Sequence, residues 1–166
     1  MSKNFIEQGV VINGVRWATR NVGAPGTFVV NPEDFGNYFA WEKAKNACPR
    51  GWRLPTLAEF HSLNDTGSEW ITRNGVSGRL FGSGRNQIFL PAAGMKRPVK
   101  SYGRVSDFGY HIRGGNIDFA DWRGLYWSND YKRSSFAWNL FFENDVSKVD
   151  SYLEDNGFNI RCVAID

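Results

Sequence analysis

Hydrophobic and polar positions change texture near Gly75. Before it, the chain carries local signals for turns and helices. Val10-Val11-Ile12-Asn13-Gly14-Val15-Arg16-Trp17 sets β-formers on both sides of Asn-Gly, which predicts a hairpin closed by a two-residue type I′ turn. Asn21-Val22-Gly23-Ala24-Pro25-Gly26 reads as loop. Asn31-Pro32-Glu33-Asp34 has the makings of a helix start, with Asn as cap, Pro first and acids at the positive end. Gly36 interrupts it, so the firm part of that helix is expected over 38–47. Thr56-Leu57-Ala58-Glu59 is a capping box, in which hydroxyl and carboxylate satisfy each other's orphan backbone donors. With Leu57, Phe60 and Leu63 as an apolar stripe, it predicts a helix over 57–64. A further helical turn is expected over 68–73, ended by Asn74-Gly75.

After Gly75 glycines recur at 75, 78, 82, 84, 94, 103, 109, 114, 115 and 124, and no helical period survives. Short strands are expected at 88–90 and 125–127. Phe136-Ala137-Trp138-Asn139-Leu140-Phe141-Phe142 alternates, which predicts Phe136, Trp138, Leu140 and Phe142 inward and Ala137, Asn139 and Phe141 outward. Phe158, Ile160 and Cys162 alternate with Asn159 and Arg161, so the last strand should bury its cysteine. A helical first half and a stranded, Gly-rich second half without a linker describe one α+β domain over 1–166. In it, two short helices pack on small antiparallel sheets with long Gly-rich loops. The 166 residues suffice for one domain with a real core, and there is no internal repeat.

Composition narrows the class. Apolar residues at 42% and charged residues at 22% fit a soluble globule rather than a disordered chain. No window approaches the roughly 18 apolar residues of a membrane helix, so membrane insertion is not expected. Met1-Ser2-Lys3-Asn4-Phe5 has no apolar run behind its lysine, so no signal peptide is expected in the sequence as given. Aromatics at 16%, with seven Trp, favour β-rich packing.

The net charge of +3 names no partner, but its distribution is uneven. Arg73, Arg79, Arg85, Lys96, Arg97, Lys100, Arg104 and Arg113 face only Asp107 between Trp70 and Ile117. Glu143, Asp145, Asp150, Glu154 and Asp155 face only Lys148 near the end. The basic stretch reads either as a loop surface that binds phosphate or nucleic acid or, the reading we favour, as a solvated loop region lying against the acidic tail. No nucleic-acid motif accompanies it, so nucleic acid is not an expected partner.

Candidate chemistry is sparse. Cys48 and Cys162 are either two buried free thiols or one long-range disulfide, which would be worth up to roughly 5 kcal/mol on the chain-entropy model. With only His61 and His111 beside them, no Cys/His metal site can be assembled, and no cofactor is expected. Glu59 and His61 point apart on a helix, leaving a capping role for Glu59 and a partly buried surface role for His61. Gly82-Ser83-Gly84-Arg85 lacks the strand-to-helix junction of a phosphate loop and reads as a turn. Arg53 and Arg161 read as structural donors to buried carbonyls, with Arg161 on the outward side of the last strand.

Five blocks in order carry a resemblance. They are Trp17-Ala18-Thr19-Arg20-Asn21-Val22-Gly23-Ala24, Ala47-Cys48-Pro49-Arg50-Gly51-Trp52-Arg53-Leu54-Pro55-Thr56, Phe89-Leu90-Pro91-Ala92-Ala93-Gly94, Tyr126-Trp127-Ser128, and Gly157-Phe158-Asn159-Ile160-Arg161-Cys162-Val163. Over roughly residues 9–164 the chain resembles the Fibrobacter succinogenes major paralogous domain, a family with a C-type-lectin-like fold. The resemblance implies a compact α+β lectin-like domain with its termini close together, and a disulfide between Cys48 and Cys162. It also implies an extracellular, cell-surface or phage setting.

The family is similar to the variable proteins of diversity-generating retroelements, whose lectin-like C-terminal region is rewritten at adenines of a template. Residues 128–156 look like such a region, since Trp127, Ala137, Trp138, Leu140 and Phe142 interleave with unpatterned Tyr, Lys, Arg, Ser, Phe, Glu and Asp. The alternative is an ordinary polar surface of strand and loop. Trp127-Ser128-Asn129-Asp130 is close to the Trp-Asn-Asp calcium motif of C-type lectins, but one residue intrudes. The companion tripeptide is missing, because Asn31-Pro32-Glu33 is out of place and reads as a helix cap. Formylglycine-generating enzymes share a related fold and use a redox cysteine pair. Cys48 and Cys162 do not look like that pair, because Cys162 belongs to a core face.

The expected function is therefore a non-catalytic module that binds a protein or glycan ligand on a cell surface. The alternatives are an enzyme of the formylglycine-generating type or a calcium-dependent lectin. The expected site is one exposed patch of Tyr131, Arg133, Asn139, Phe141, Glu143 and Tyr152, where flat aromatic and charged side chains offer low-entropy contact surface.

Overall fold

The computed structural model describes residues 6–98, 104–105, 111–112 and 115–166, without the side chains of the two short strands at 104–105 and 111–112. Met1 to Phe5, Lys100, Gly103, Asp107, Gly109, Arg113 and Gly114 lie outside the described residues, as do the side chains of Arg104 and His111.

The first hairpin forms as its letters require. Strands β1 (Val10–Ile12) and β2 (Val15–Trp17) pair antiparallel around Asn13 and Gly14, both left-handed at φ 51° and 78°. Helix α1 is one turn, Trp41–Ala44, followed by strand β3 (Trp52–Arg53) and helix α2 (Leu57–Asp65). Both halves of the capping box are made at the start of α2: Glu59 N–H donates to Thr56 Oγ1 at 3.1 Å, and Thr56 N–H to Glu59 Oε1 at 2.8 Å. The remaining strands are β4 (Ser68–Arg73), β5 (Val76–Ser83), β6 (Asn86–Pro91), β7 (Met95–Lys96), β8 (Arg104–Val105), β9 (His111–Ile112), β10 (Ile117–Asp118), β11 (Gly124–Arg133), β12 (Phe136–Phe142), β13 (Ser147–Leu153) and β14 (Val163–Ala164).

One expected helix is shortened to a single turn, and another is replaced by a strand. Asn31 to Asp34 is a turn, closed by Asp34 N–H to Asn31 O at 3.0 Å and Asn31 N–H to Asp34 Oδ2 at 3.0 Å, so the capping residues satisfy one another. Of 38–47 only the single turn α1 remains helical. Phe39 instead exchanges backbone hydrogen bonds with Phe158, at 2.9 and 3.0 Å, as extended chain. Residues 68–73 are strand β4, and Asn74-Gly75, at φ 49° and 81°, is the hairpin turn into β5. The β-forming side chains of Trp70, Ile71 and Thr72 pair across to Arg79, Gly78 and Ser77.

Small antiparallel sheets result: β1-β2-β14-β3, β4-β5-β6, β11-β12-β13, and the pairs β7-β10 and β8-β9. With two helices this is an α+β architecture. The first and last described strands share one sheet, where Val163 lies opposite both Trp17 and Arg53. Among the described residues, no helix is long and apolar enough to cross a membrane.

The β11-β12-β13 sheet separates two apolar clusters. One face meets Ala18, Trp41, Phe158, Ile160 and Cys162; the other meets Trp17, Phe60, Leu63, Phe81 and Leu90. Cys48 and Cys162 form a disulfide, with Cα atoms 6.1 Å apart. Arg161 corrects the expectation of an outward residue, since it is wholly buried. Its guanidinium donates to Asn21 Oδ1 at 2.9 Å, Ala18 O at 3.3 Å and Phe89 O at 2.9 Å. Asn159 is equally buried and donates to Phe35 O at 2.9 Å. The last segment, 157–162, is surrounded on all sides and has no outward face.

Candidate binding face

β11 is long enough to overrun the core. Its first five residues, Gly124 to Ser128, are buried, whereas Asn129 to Arg133 project beyond. Register shifts against β12 on both sides of Tyr131 mark bulges that bend this overhang. Ser134 and Ser135, at φ 51° and 69°, turn the chain into β12, and Ser135 N–H donates to the Tyr131 hydroxyl at 2.8 Å.

The base of the overhang is bolted to α2. The Asp130 carboxylate accepts from Leu57 N–H in the first turn of that helix, and Asn129 N–H donates to Pro55 O at 2.7 Å. A carboxylate there meets the positive end of the helix. Asp130, in the calcium-like motif, thus serves α2. Arg53 adds a two-pronged ion pair to Glu59, at 2.7 and 2.9 Å, which holds the Glu59 carboxyl below its ordinary value and the Arg53 guanidinium above its own. Among the described residues no three His, Cys, Asp or Glu side chains are grouped to hold a metal ion.

The predicted site residues do not form one exposed patch. Tyr131 is 47% exposed and Arg133 is exposed, both on the overhang. Asn139 is buried; its amide donates to Leu140 O, and Oδ1 has no partner among the described residues. Tyr152 is half-buried against Phe158, with ring centres 5.6 Å apart, and lies in one cross-strand row with Ala137 and Tyr131. Phe141 is half-buried under the Arg123 and Lys148 cations, 4.9 and 5.3 Å from its ring. Glu143 is half-buried in an ion pair with Arg123 at 2.8 Å. Strand rise of roughly 3.3 Å per residue puts Phe141 about 13 Å along β12 from the Tyr131 row.

Burial corrects the expected alternation of β12. Ala137 and Asn139 are covered, while Phe136 is 36% exposed and Trp138 half-buried. Phe136, Trp138, Leu140 and Phe142 do share a face, as predicted. However, α2 and the β4–β6 sheet cover only its Leu140 and Phe142 end. The uncovered end was missed by sequence reasoning. Phe136 lies between Arg133 and Leu153 in one cross-strand row, and Leu153 is 39% exposed. Beside it Lys132 lies 4.7 Å over the Trp138 ring and reaches Ser151 Oγ at 3.3 Å. The alternation of Val149, Ser151 and Leu153 against Lys148, Asp150 and Tyr152 was the signal available for β13.

Within the basic stretch, Arg79 reaches the acidic segment through main-chain carbonyls, and Arg97 finds its carboxylate outside that segment. Arg79 donates to Glu143 O and Asn144 O at 2.9 and 3.0 Å, and Arg97 pairs with Asp118. Burial lowers the Arg79 guanidinium from its ordinary value.

No curated protein and no solved structure matches the chain. The family described as Fibrobacter succinogenes major domain matches residues 21–164, which span the disulfide, the buried Arg161 and the three-stranded sheet with its overhang. The chain therefore belongs to the Fibrobacter succinogenes major domain family.

Proposed function

We propose that this chain is a non-catalytic ligand-binding module on a C-type-lectin-like fold, and that it recognises a protein or glycan on a cell surface. The observation that carries this reading is the cross-strand row Arg133, Phe136 and Leu153 at the uncovered end of the sheet, with Lys132 over Trp138 beside it. Apolar rings left uncovered and bordered by cations have the composition of a recognition surface, not of a solvated strand. The rigid base supports the reading, because Asp130, the capping box and the disulfide are spent on holding the scaffold.

The same stretch, 128–156, is the one whose composition is similar to the rewritten region of retroelement variable proteins, and we propose that it is diversified. A sheet held on one face and along half of the other can change its exposed letters without loss of core. The genome locus tests this part: a reverse transcriptase gene beside a near-copy of the 3′ end is expected, and its absence removes diversification. Protein and glycan arrays test binding itself. Expected is a signal lost in Phe136→Ser and Leu153→Ser chains that melt like the parent, and a signal untouched by both variants removes the face from the reading.

A further inference from the structure

The loop joining β10 to β11 is held in a conformation that its residues do not favour. Phe119 and Asp121 have φ of 63° and 73°, a region sparsely populated by non-glycine residues and kept only where surroundings over-determine it. They do so here. Asp121 N–H donates to Ala92 O at 2.7 Å, Gly94 N–H donates to Arg123 O at 2.8 Å, and Asp121 Oδ1 accepts from Ser77 N–H at 3.2 Å. Gly94, at φ 74°, lets the loop press close, since a Cβ there would fall 2.1 Å from Asp118 O.

The outcome of this arrangement is an indole set out in solvent. Trp122 is 74% exposed and stands on the rim of a groove of about 690 Å³, lined by Trp70, Ser77, Asp121, Glu143 and the Asn144-Asp145 pair. The carboxylates are largely compensated. Glu143 is paired with Arg123 at 2.8 Å, Asp145 is attracted by Arg79, and Asp121 keeps its charge while accepting from Ser77 N–H. Two guanidiniums facing three carboxylates leave a cationic ligand the attraction of about one net charge at an exposed site, which is worth little. An apolar side chain would cover acceptors without pairing them, which is unfavourable. A ring with one flat C–H face and several hydroxyl donors suits both parts of the lining. Its weakly positive C–H edges meet the negative face of the indole, and its hydroxyls donate to the carboxylate and amide oxygens.

We infer that this groove binds a neutral sugar ring of a glycan, stacked on Trp122 and hydrogen-bonded by the Asp121, Glu143 and Asn144-Asp145 oxygens. The site lies at the start of β11, at the other end of that strand from the Tyr131 overhang, and does not depend on the face proposed above.

Tryptophan fluorescence and calorimetry with neutral tetrasaccharides of glucose, mannose, galactose, xylose and N-acetylglucosamine test it, with hexa-arginine as the competing probe. At least one neutral sugar should bind at submillimolar concentration. Trp122→Ala should weaken it about tenfold or more, and Val30→Ser, at an exposed position that does not line the groove, should leave it unchanged. The inference is overturned if no neutral sugar binds at up to about 10 mM, if binding survives Trp122→Ala, or if hexa-arginine binds the parent and loses affinity in that variant.

Discussion

Arg161 Nε donates to Asn21 Oδ1 at 2.9 Å across 140 residues of sequence, and both side chains are wholly buried. Asn21 in turn donates to the Tyr126 hydroxyl at 3.0 Å, which donates to Pro91 O at 2.8 Å. Burial pushes the Arg161 guanidinium down to about 10 and the Tyr126 phenol up, so at neutral pH the network holds a cation and a neutral phenol. Arg161→Ala leaves three acceptors unpaired and a cavity, and should cost about 3–5 kcal/mol in urea unfolding. Arg161→Lys should also destabilise, because an ammonium cannot reproduce the fork. A cycle with Asn21→Ala should be non-additive.

The Cys48–Cys162 bridge closes a sequence separation of 114 residues. Replacing both cysteines by Ala should lower stability by about 2–5 kcal/mol. Thiol labelling of the denatured, unreduced chain should find no free thiol, and two labelled cysteines would contradict the bridge.

Asp130 is committed to the Leu57 N–H, so its replacement by Ala should weaken α2 by about 1 kcal/mol. Calcium or a chelator should leave the melting temperature of the parent unchanged. A rise with calcium that disappears in Asp130→Ala would instead make Asp130 a ligand.

The Glu59 carboxyl, held below its ordinary value of 4.5 by Arg53, contributes stability that is present above that value and lost as pH falls through the folded pKa. The stability gap between the parent and Glu59→Gln should therefore be widest near neutral pH and shrink below about 4.5. A gap constant from pH 7 to pH 3 would show that the Arg53 pair is not coupled to folding.

Phe141 packs against the core cluster and under two cations, so Phe141→Ala should cost about 2–3 kcal/mol, below the full cost of a buried ring. Phe136→Ser and Leu153→Ser should change stability by no more than about 0.5 kcal/mol. Thermal melts of the three variants separate the covered face from the open one.

What the sequence determined by itself is local. Asn13-Gly14 and the Thr56/Glu59 capping box work through backbone groups three residues away or fewer, so their letters suffice. Asn74-Gly75 carried the same turn signal as Asn13-Gly14, yet read as a helix stop, because a short apolar run has no decisive period until its pairing partner is known. The tertiary structure alone decided that 31–47 forms only one helical turn, since Phe39 finds its hydrogen bonds on Phe158. It also decided the fate of Asn139, Arg161 and Phe136. Alternation states which residues share a face, and Phe136, Trp138, Leu140 and Phe142 do. It cannot state how far a face is covered, because coverage depends on chain that returns from a hundred residues away. Here that chain buries Asn139 on the face expected to be open, and stops short of Phe136 on the face expected to be closed.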